Sequence, residues 1–354
     1  WVWKQILGND TLKDFRSKHQ KAKKRFSKTE LSTNKKDISA FATVMVVVPK
    51  DEPLFNVKMF ISTLLFTGFN GNIIICIREP SLLKIVKSFM SSDFVKSKTK
   101  IAGIYQLVES DNVYKKALQL LDNCGHCQNG PILLTSLEAS YFQRNPFGLG
   151  APKINGLQVF ENNPDERTTF WASKITYEQC AKDKADRLHD NISLSFTTVG
   201  VFSAMKQYLT TLSEIVDEWK KNPDCRWEGD TGEKTIMNLL IYNNRFEDGL
   251  VTIVPNRVGL VNTVGHEVNA IVETHKKMYQ KWFKIEEEEA TQLDLIGATS
   301  RTWIGSKEFA ITNSEGYFVN FDDTQSFLVA NSDAGGHHLL TWMDKEGFLG
   351  LSEG

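Results

Sequence analysis

Phe41-Ala-Thr-Val-Met-Val-Val-Val48 is the stretch on which the fold turns. An apolar run this short and this rich in β-branched residues fits a strand covered on both faces, where no side of the backbone meets water. Outward from it the pattern alternates. Phe55 to Phe66 reads as a helix, Asn72 to Ile77 (NIIICI) as a second strand following Gly71, and Leu82 to Phe94 as a helix. Ile101 to Val108 reads as a third strand, Val113 to Leu121 as a helix, and Pro131 to Thr135 (PILLT) as a fourth strand. Strands separated by helical stretches of about a dozen residues predict parallel βαβ units with right-handed crossovers. Ligands of such sheets bind at the carboxyl ends of the strands, which directs attention to the loops after Val48, Ile77, Val108 and Thr135.

From about residue 151 the alternation gives way to a mixed α+β pattern. Leu157 to Glu161 reads as a strand, Tyr177 to Leu188 as a charged helix, and Thr198 to Lys220 as a long amphipathic helix with Val201, Met205, Tyr208, Leu209, Leu212 and Val216 on one face. A further helix is expected at Thr235 to Tyr242 and a strand at Val251 to Pro255. Residues 1–38 read as a polar helix and linker, so the boundaries fall at 38 and 150.

The 354 residues are 41% hydrophobic, an ordinary value for a globular chain. Lys and Arg number 42 against 43 Asp and Glu, and the formal charge of -1 supplies no bulk attraction for nucleic acid. The basic stretch Lys13 to Lys28 reads as a solvated helix or tether. No apolar run approaches the ~18 to 20 residues of a membrane span, and no signal sequence opens the chain, although a start at Trp1 leaves room for a leader or anchor ahead of it. Asn9 and Asn191 head glycosylation sequons, weak pointers to a secretory route.

Five cysteines, Cys76, Cys124, Cys127, Cys180 and Cys225, allow at most two bridges within the chain. Cys124-Gly-His-Cys127 has the spacing of thiol-disulfide oxidoreductases. It lies in a polar turn ahead of a strand, however, not after a strand at a helix start, and so reads as a local disulfide or surface pair.

Ile132 to Gly148, ILLTSLEASYFQRNPFG, resembles the signature of a family of A-type glycosyltransferases of plants and algae, in which a strand ends in Leu-Thr-Asp, followed by Arg-Asp, Phe-Gln and Asn/Asp-Pro-Phe. Further similar segments follow in order: Trp171 with Cys180, Ser195 to Gly200 (SFTTVG), Asn238 to Tyr242, Val261 to Gly265 (VNTVG), and Phe318 to Val329. The resemblance implies an α/β fold of the A-type glycosyltransferase class, Rossmann-like, with a mostly parallel central sheet and helices on both faces. Residues 39–150 would form its nucleotide-binding-type half and 151–354 its acceptor-type half. It also implies the secretory lumen (Golgi) or the cell exterior.

Departures from that family pattern concentrate at polar positions. The family's two aspartates, expected to hold a divalent cation against the nucleotide-sugar diphosphate, are Ser136 and Ala139, with Glu138 between them. The second motif, Asp-Gln-x-x-His-Asn, reads Glu233-Lys234-Thr235-Ile236-Met237-Asn238, and the terminal His-Gln-x-Asp-Arg reads Ala330-Asn331-Ser332-Asp333-Ala334. Phe196 stands where the family has Gly, and Leu194 replaces a family Cys, which implies a free Cys180. Framework positions such as Phe142, Pro146, Thr197, Thr198, Gly200, Asn262 and Asn320 match.

The expectation is therefore a glycosyltransferase-like pseudoenzyme without a metal site, acting as a binding or structural component for a protein or glycan partner. The alternative is an active transferase moving a sugar from a nucleotide diphosphate to an acceptor hydroxyl, without metal or with Mn or Mg at a relocated site. In that case Glu233 and Asp333 are the catalytic carboxylates, and Ser136, Glu138, Lys234, Asn238, Thr197 and Thr198 bind the donor. Substitute cation ligands would come from Glu109 with Asp111, Asp322 with Asp323, or His337 with His338. Each has a plainer reading, Asp111 as a helix N-cap, Asp322-Asp323 as a tight turn, and the histidines as a surface loop. Trp171, Trp227, Trp303 and Trp342 are candidates to line a binding surface.

Overall fold

The valine-rich run does become a strand covered on both faces. The computed structural model describes residues 32–50, 52, 54–108, 111–137, 140–161, 180, 193–225, 236–238, 240–241, 246, 249–263, 313 and 317–330. They fall into two compact units, one drawn from Thr33–Glu138 and Asn145–Asn256, the other from Ala139–Arg144 and Arg257–Gly354.

In the first unit β1 (Thr43–Val48) pairs in parallel with β2 (Asn72–Ile77) and with β4 (Ile132–Ser136), while β2 pairs in parallel with β3 (Lys100–Gln106). The connections are α1 (Leu54–Phe66), then α2 (Pro80–Met90) with the short α3 (Asp93–Lys96), then α4 (Val113–Asn123). Beyond β4 the sheet continues through β6 (Leu157–Glu161), β7 (Ser193–Gly200) and β8 (Val251–Val254), in the order β3-β2-β1-β4-β7-β6-β8. Only β7 runs against its neighbours, antiparallel to both β4 and β6. The result is a mixed α/β protein with a seven-stranded, mostly parallel sheet, consistent with a Rossmann-like fold.

Strand alternation sends successive side chains to opposite faces. Met45, Val47, Ile74, Cys76, Ile132, Leu134, Leu157 and Val159 form one core cluster with α4 and with α5 (Phe202–Lys221). The residues between them, Val44, Val46, Ile73, Ile75 and Leu133, point the other way and are equally buried. Each such side chain stabilises the fold by roughly 1.5–3 kcal/mol on burial. Gly71 and Gly130 precede β2 and β4 where any Cβ would collide with backbone carbonyls, of Ser39 and Ala42 in the first case and of Phe41 in the second.

Two expected helices are corrected. Thr198 to Gly200 belong to β7, not to the long helix, which starts at Phe202 after an extended Val201. The β-branched Thr-Thr-Val segment forms ladder bonds with β4 and β6 at once, which outweighs its fit to the amphipathic period. The helix expected over Leu82 to Phe94 is two helices, because the extended backbone of Ser92 interrupts it before Asp93. Of the helix at Tyr177 to Leu188 only Cys180 is described, and it is helical.

Cys124 and Cys127 form a local disulfide, as the turn reading anticipated. Cys180 is not free: it is bonded to Cys225, with Cα atoms 4.7 Å apart. Its partner lies four residues beyond the end of α5. The remaining thiol, Cys76, is buried on β2, and desolvation pushes its pKa up to about 12, so it is an inert core side chain. No helix among the described residues is long and apolar enough to cross a membrane.

The second unit contains a three-stranded sheet ordered β5-β10-β9, from β5 (Tyr141–Phe142), β9 (Val261–Thr263) and β10 (Leu328–Ala330). β10 pairs antiparallel with β5 and parallel with β9.

Candidate functional site

At the carboxyl end of β4 the chain leaves the sheet through Ser136 and Leu137. Ser136 is 5% exposed, and the backbone beyond it is fixed by Leu137 N–H donating to the Val47 carbonyl at 2.9 Å. The Thr135 hydroxyl meets the Thr197 hydroxyl of β7 at 3.0 Å and also lies 3.0 Å from the Ser136 carbonyl. Thr198 points to the opposite face, where its hydroxyl donates to Tyr208 Oη of α5 at 3.4 Å. Burial raises the Tyr208 phenol well above its usual value, with the Thr198 contact opposing the shift, so this pair is a neutral hydrogen bond inside the core. Both threonine hydroxyls are thus engaged with protein partners on buried sheet surfaces.

Asn238 is buried and helical, next to Met237, which is fully enclosed in the core cluster that includes Leu240 and Tyr208. Ala330, in the second unit, is the last residue of β10 and is also buried. Glu138, Ala139, Glu233, Lys234 and Asp333 lie outside the described residues, as do Asn9, Asn191, Glu109, His337, His338, Trp171, Trp227, Trp303, Trp342 and the Phe196 side chain.

Of the three positions from which the resemblance implies divalent-cation ligation at the end of β4, Ser136 alone is among the described residues, and Glu138 is not. Such ions take six or more oxygens with carboxylates prominent among them, whereas Ser136 contributes one buried hydroxyl where an aspartate is expected. Among the described residues no group of three or more His, Cys, Asp or Glu side chains is disposed to hold a metal.

Two of the substitute carboxylate positions are occupied locally. Asp111 is not the helix cap: its Oδ2 accepts from Val108 N–H at 2.9 Å, and Asn112 caps α4 by accepting from Lys115 N–H. Asp322 Oδ1 accepts from both Thr324 N–H and its hydroxyl, at 3.0 and 2.6 Å, and Asp323 sits at φ 66°, the conformation of a tight turn.

The segments that carry the family resemblance meet in pairs. Ile132 to Leu134 pair with Thr198 to Gly200, and Leu328 to Ala330 join Tyr141-Phe142 to Val261–Thr263. In the second unit Gln143 holds the 318–326 segment: it donates to the Phe318 and Ser326 carbonyls and accepts from Phe318 N–H at 2.9 Å. Arg144 stacks its guanidinium 4.2 Å from the centre of the Phe327 ring. Sequence reasoning placed Gln143 within the signature without assigning it this structural role, which depends on a contact 175 residues away. No protein-family model matches the chain, and no curated protein matches it either.

Proposed function

We propose that the chain is a glycosyltransferase-like protein that has lost catalysis and serves as a binding or structural component in the secretory lumen or outside the cell. The observation that carries this reading is Met237. It stands where the resemblance expects a histidine beside the donor, and it is 0% exposed inside an apolar cluster. A side chain so enclosed contacts no ligand. Ser136 and Ala330, at two other positions where polar ligands are expected, are also small and buried. The pairing of the motif segments as strands supports a framework kept without its ligand chemistry. Two disulfides suit an oxidising compartment.

Titration calorimetry of the full chain with Mn²⁺ and a panel of uridine and guanosine diphosphate sugars tests the reading. No heat and no sugar transfer are expected. Micromolar binding accompanied by turnover would overturn it.

A further inference from the structure

Between Arg78 and Lys100 six basic residues stand against two acidic ones, Glu79 and Asp93, in a chain whose formal charge is -1. Lys84 and Lys87 lie one turn apart on α2, and Lys96, Lys98 and Lys100 run from the end of α3 to the start of the edge strand β3. All five are exposed, and none forms a salt bridge among the described residues. Such segregation of unpaired charge creates a local positive field despite the neutral total.

Lys98 is held in place. Its ammonium lies 5.7 Å from the Phe66 ring centre and 5.4 Å from that of Phe94, and the two rings are 5.7 Å apart. Attraction to two aromatic rings restrains the side chain before any ligand arrives, which lowers the entropy lost on binding an anion. Phe66 nevertheless remains 46% exposed.

We propose that the exposed segment from Lys84 to Lys100 binds an extended acidic glycan bearing sulfate or carboxylate groups that runs along it, with its lysines as the cationic contacts and Phe66, beside Lys98, as a ring against which a sugar packs. A chain of repeated anions engages several unpaired lysines at once, whereas a single small anion engages one or two. An anionic bilayer fits less well. The apolar side chains among the lysines, Phe66 and Ile85 at 45% exposure, are half covered, and the strongly negative leaflet faces the cytoplasm, where disulfides seldom persist. The proposal rests on the noncatalytic reading for its compartment and class of partner. It fails separately, because its test uses no nucleotide sugar.

The full chain is passed over immobilised heparin oligosaccharide, immobilised polygalacturonate and neutral dextran, and is mixed with phosphatidylserine vesicles. Retention is expected on at least one of the two acidic chains and not on dextran. Raising salt from about 50 to about 200 mM should weaken it about tenfold or more. The combined Lys84→Ala, Lys87→Ala and Lys98→Ala variant should lose about tenfold in affinity, and Phe66→Leu about threefold, while Lys220→Ala with Lys221→Ala on α5 changes it less than about twofold. The sulfated and carboxylated arms identify the anion. Absence of retention on both acidic chains, equal retention on dextran, an equal loss in the α5 variant, or binding confined to vesicles would overturn the proposal.

Discussion

In the seven-stranded sheet, β1, β2 and β4 present valine, isoleucine and leucine to both faces, whereas the unit with the three-stranded sheet buries Gln143, Asn262, Asn320 and Ser326. Asn262 donates to the Val319 carbonyl at 3.2 Å and to Ser326 Oγ at 3.0 Å; Ser326 in turn donates to Asn320 Oδ1 at 3.1 Å, and Asn320 to the Gly259 carbonyl at 3.0 Å. Arg257, held at φ 62°, donates from Nε to the same Val319 carbonyl at 3.3 Å and lies 4.6 Å from the Phe321 ring. A long parallel sheet closes its own backbone hydrogen bonds and needs only apolar cover. Strands of two or three residues leave much of the surrounding loop backbone unpaired, and side-chain amides complete it. The first interior should tolerate a change of shape, and the second should not tolerate a loss of polarity.

The covalent tie gives the largest effect. All five cysteines lie in segments of the larger unit, and the Cys180–Cys225 bridge spans 45 residues. Its removal by Cys225→Ala is expected to destabilise that unit by about 4 kcal/mol on loop-entropy grounds. Equal shifts of both units in denaturant would break the comparison. Next, Leu134→Ala should cost about 3 kcal/mol by opening a cavity, read as a lower denaturation midpoint.

Asn262→Leu should cost about 2 kcal/mol, because the buried Ser326 hydroxyl loses the donor it accepts from and the Val319 carbonyl keeps only Arg257. Ile74→Leu in the larger sheet should cost less than about 1.5 kcal/mol. If the two rank the other way, the polar network is not what holds the smaller unit.

The smallest effect is on the surface. Asp217 receives hydrogen bonds from Asn112 and Lys115, and the Asn112 contact leads in lowering its pKa. A lowered folded-state value means its stabilisation is complete above the ordinary aspartate value of about 3.9 and is lost as pH falls through the folded value. Lys115→Ala should cost only about 0.5 kcal/mol, since the pair is half exposed. Asp217→Asn should flatten the acid limb of a stability-against-pH profile.

The larger sheet was legible because its signal is local. NIIICI and LQVFE each span their strand as written, β1 and β4 differ from their expected spans by a residue or two at the ends, and Gly71 marks the approach to β2. The smaller unit was not, since a two-residue strand such as Tyr141-Phe142 has no period to read and acquires its identity only from β10. At the candidate site the same division holds. That Ser136, Met237 and Ala330 stand where the resemblance implies polar ligands is visible in one dimension; that all three are buried, and that Thr197 and Thr198 are engaged on opposite faces of β7, is not. Charge density along the sequence singles out Lys13 to Lys28 rather than the lysines between 84 and 100, because spacing in sequence says nothing of which charges lack partners.

By itself the sequence determined the parallel α/β core, through runs of apolar residues whose length and branching favour buried strands, and through residue identity it set Ser136, Met237 and Ala330 at positions where the resemblance implies polar ligands. Tertiary structure decided what composition leaves open. Thr198 to Gly200 became strand because two neighbours supplied ladder partners, Cys180 took Cys225 because the end of α5 lies beside it, and Gln143 became the clasp of the smaller unit. Each outcome depends on proximity between residues distant in sequence, and proximity is a property of the packed chain.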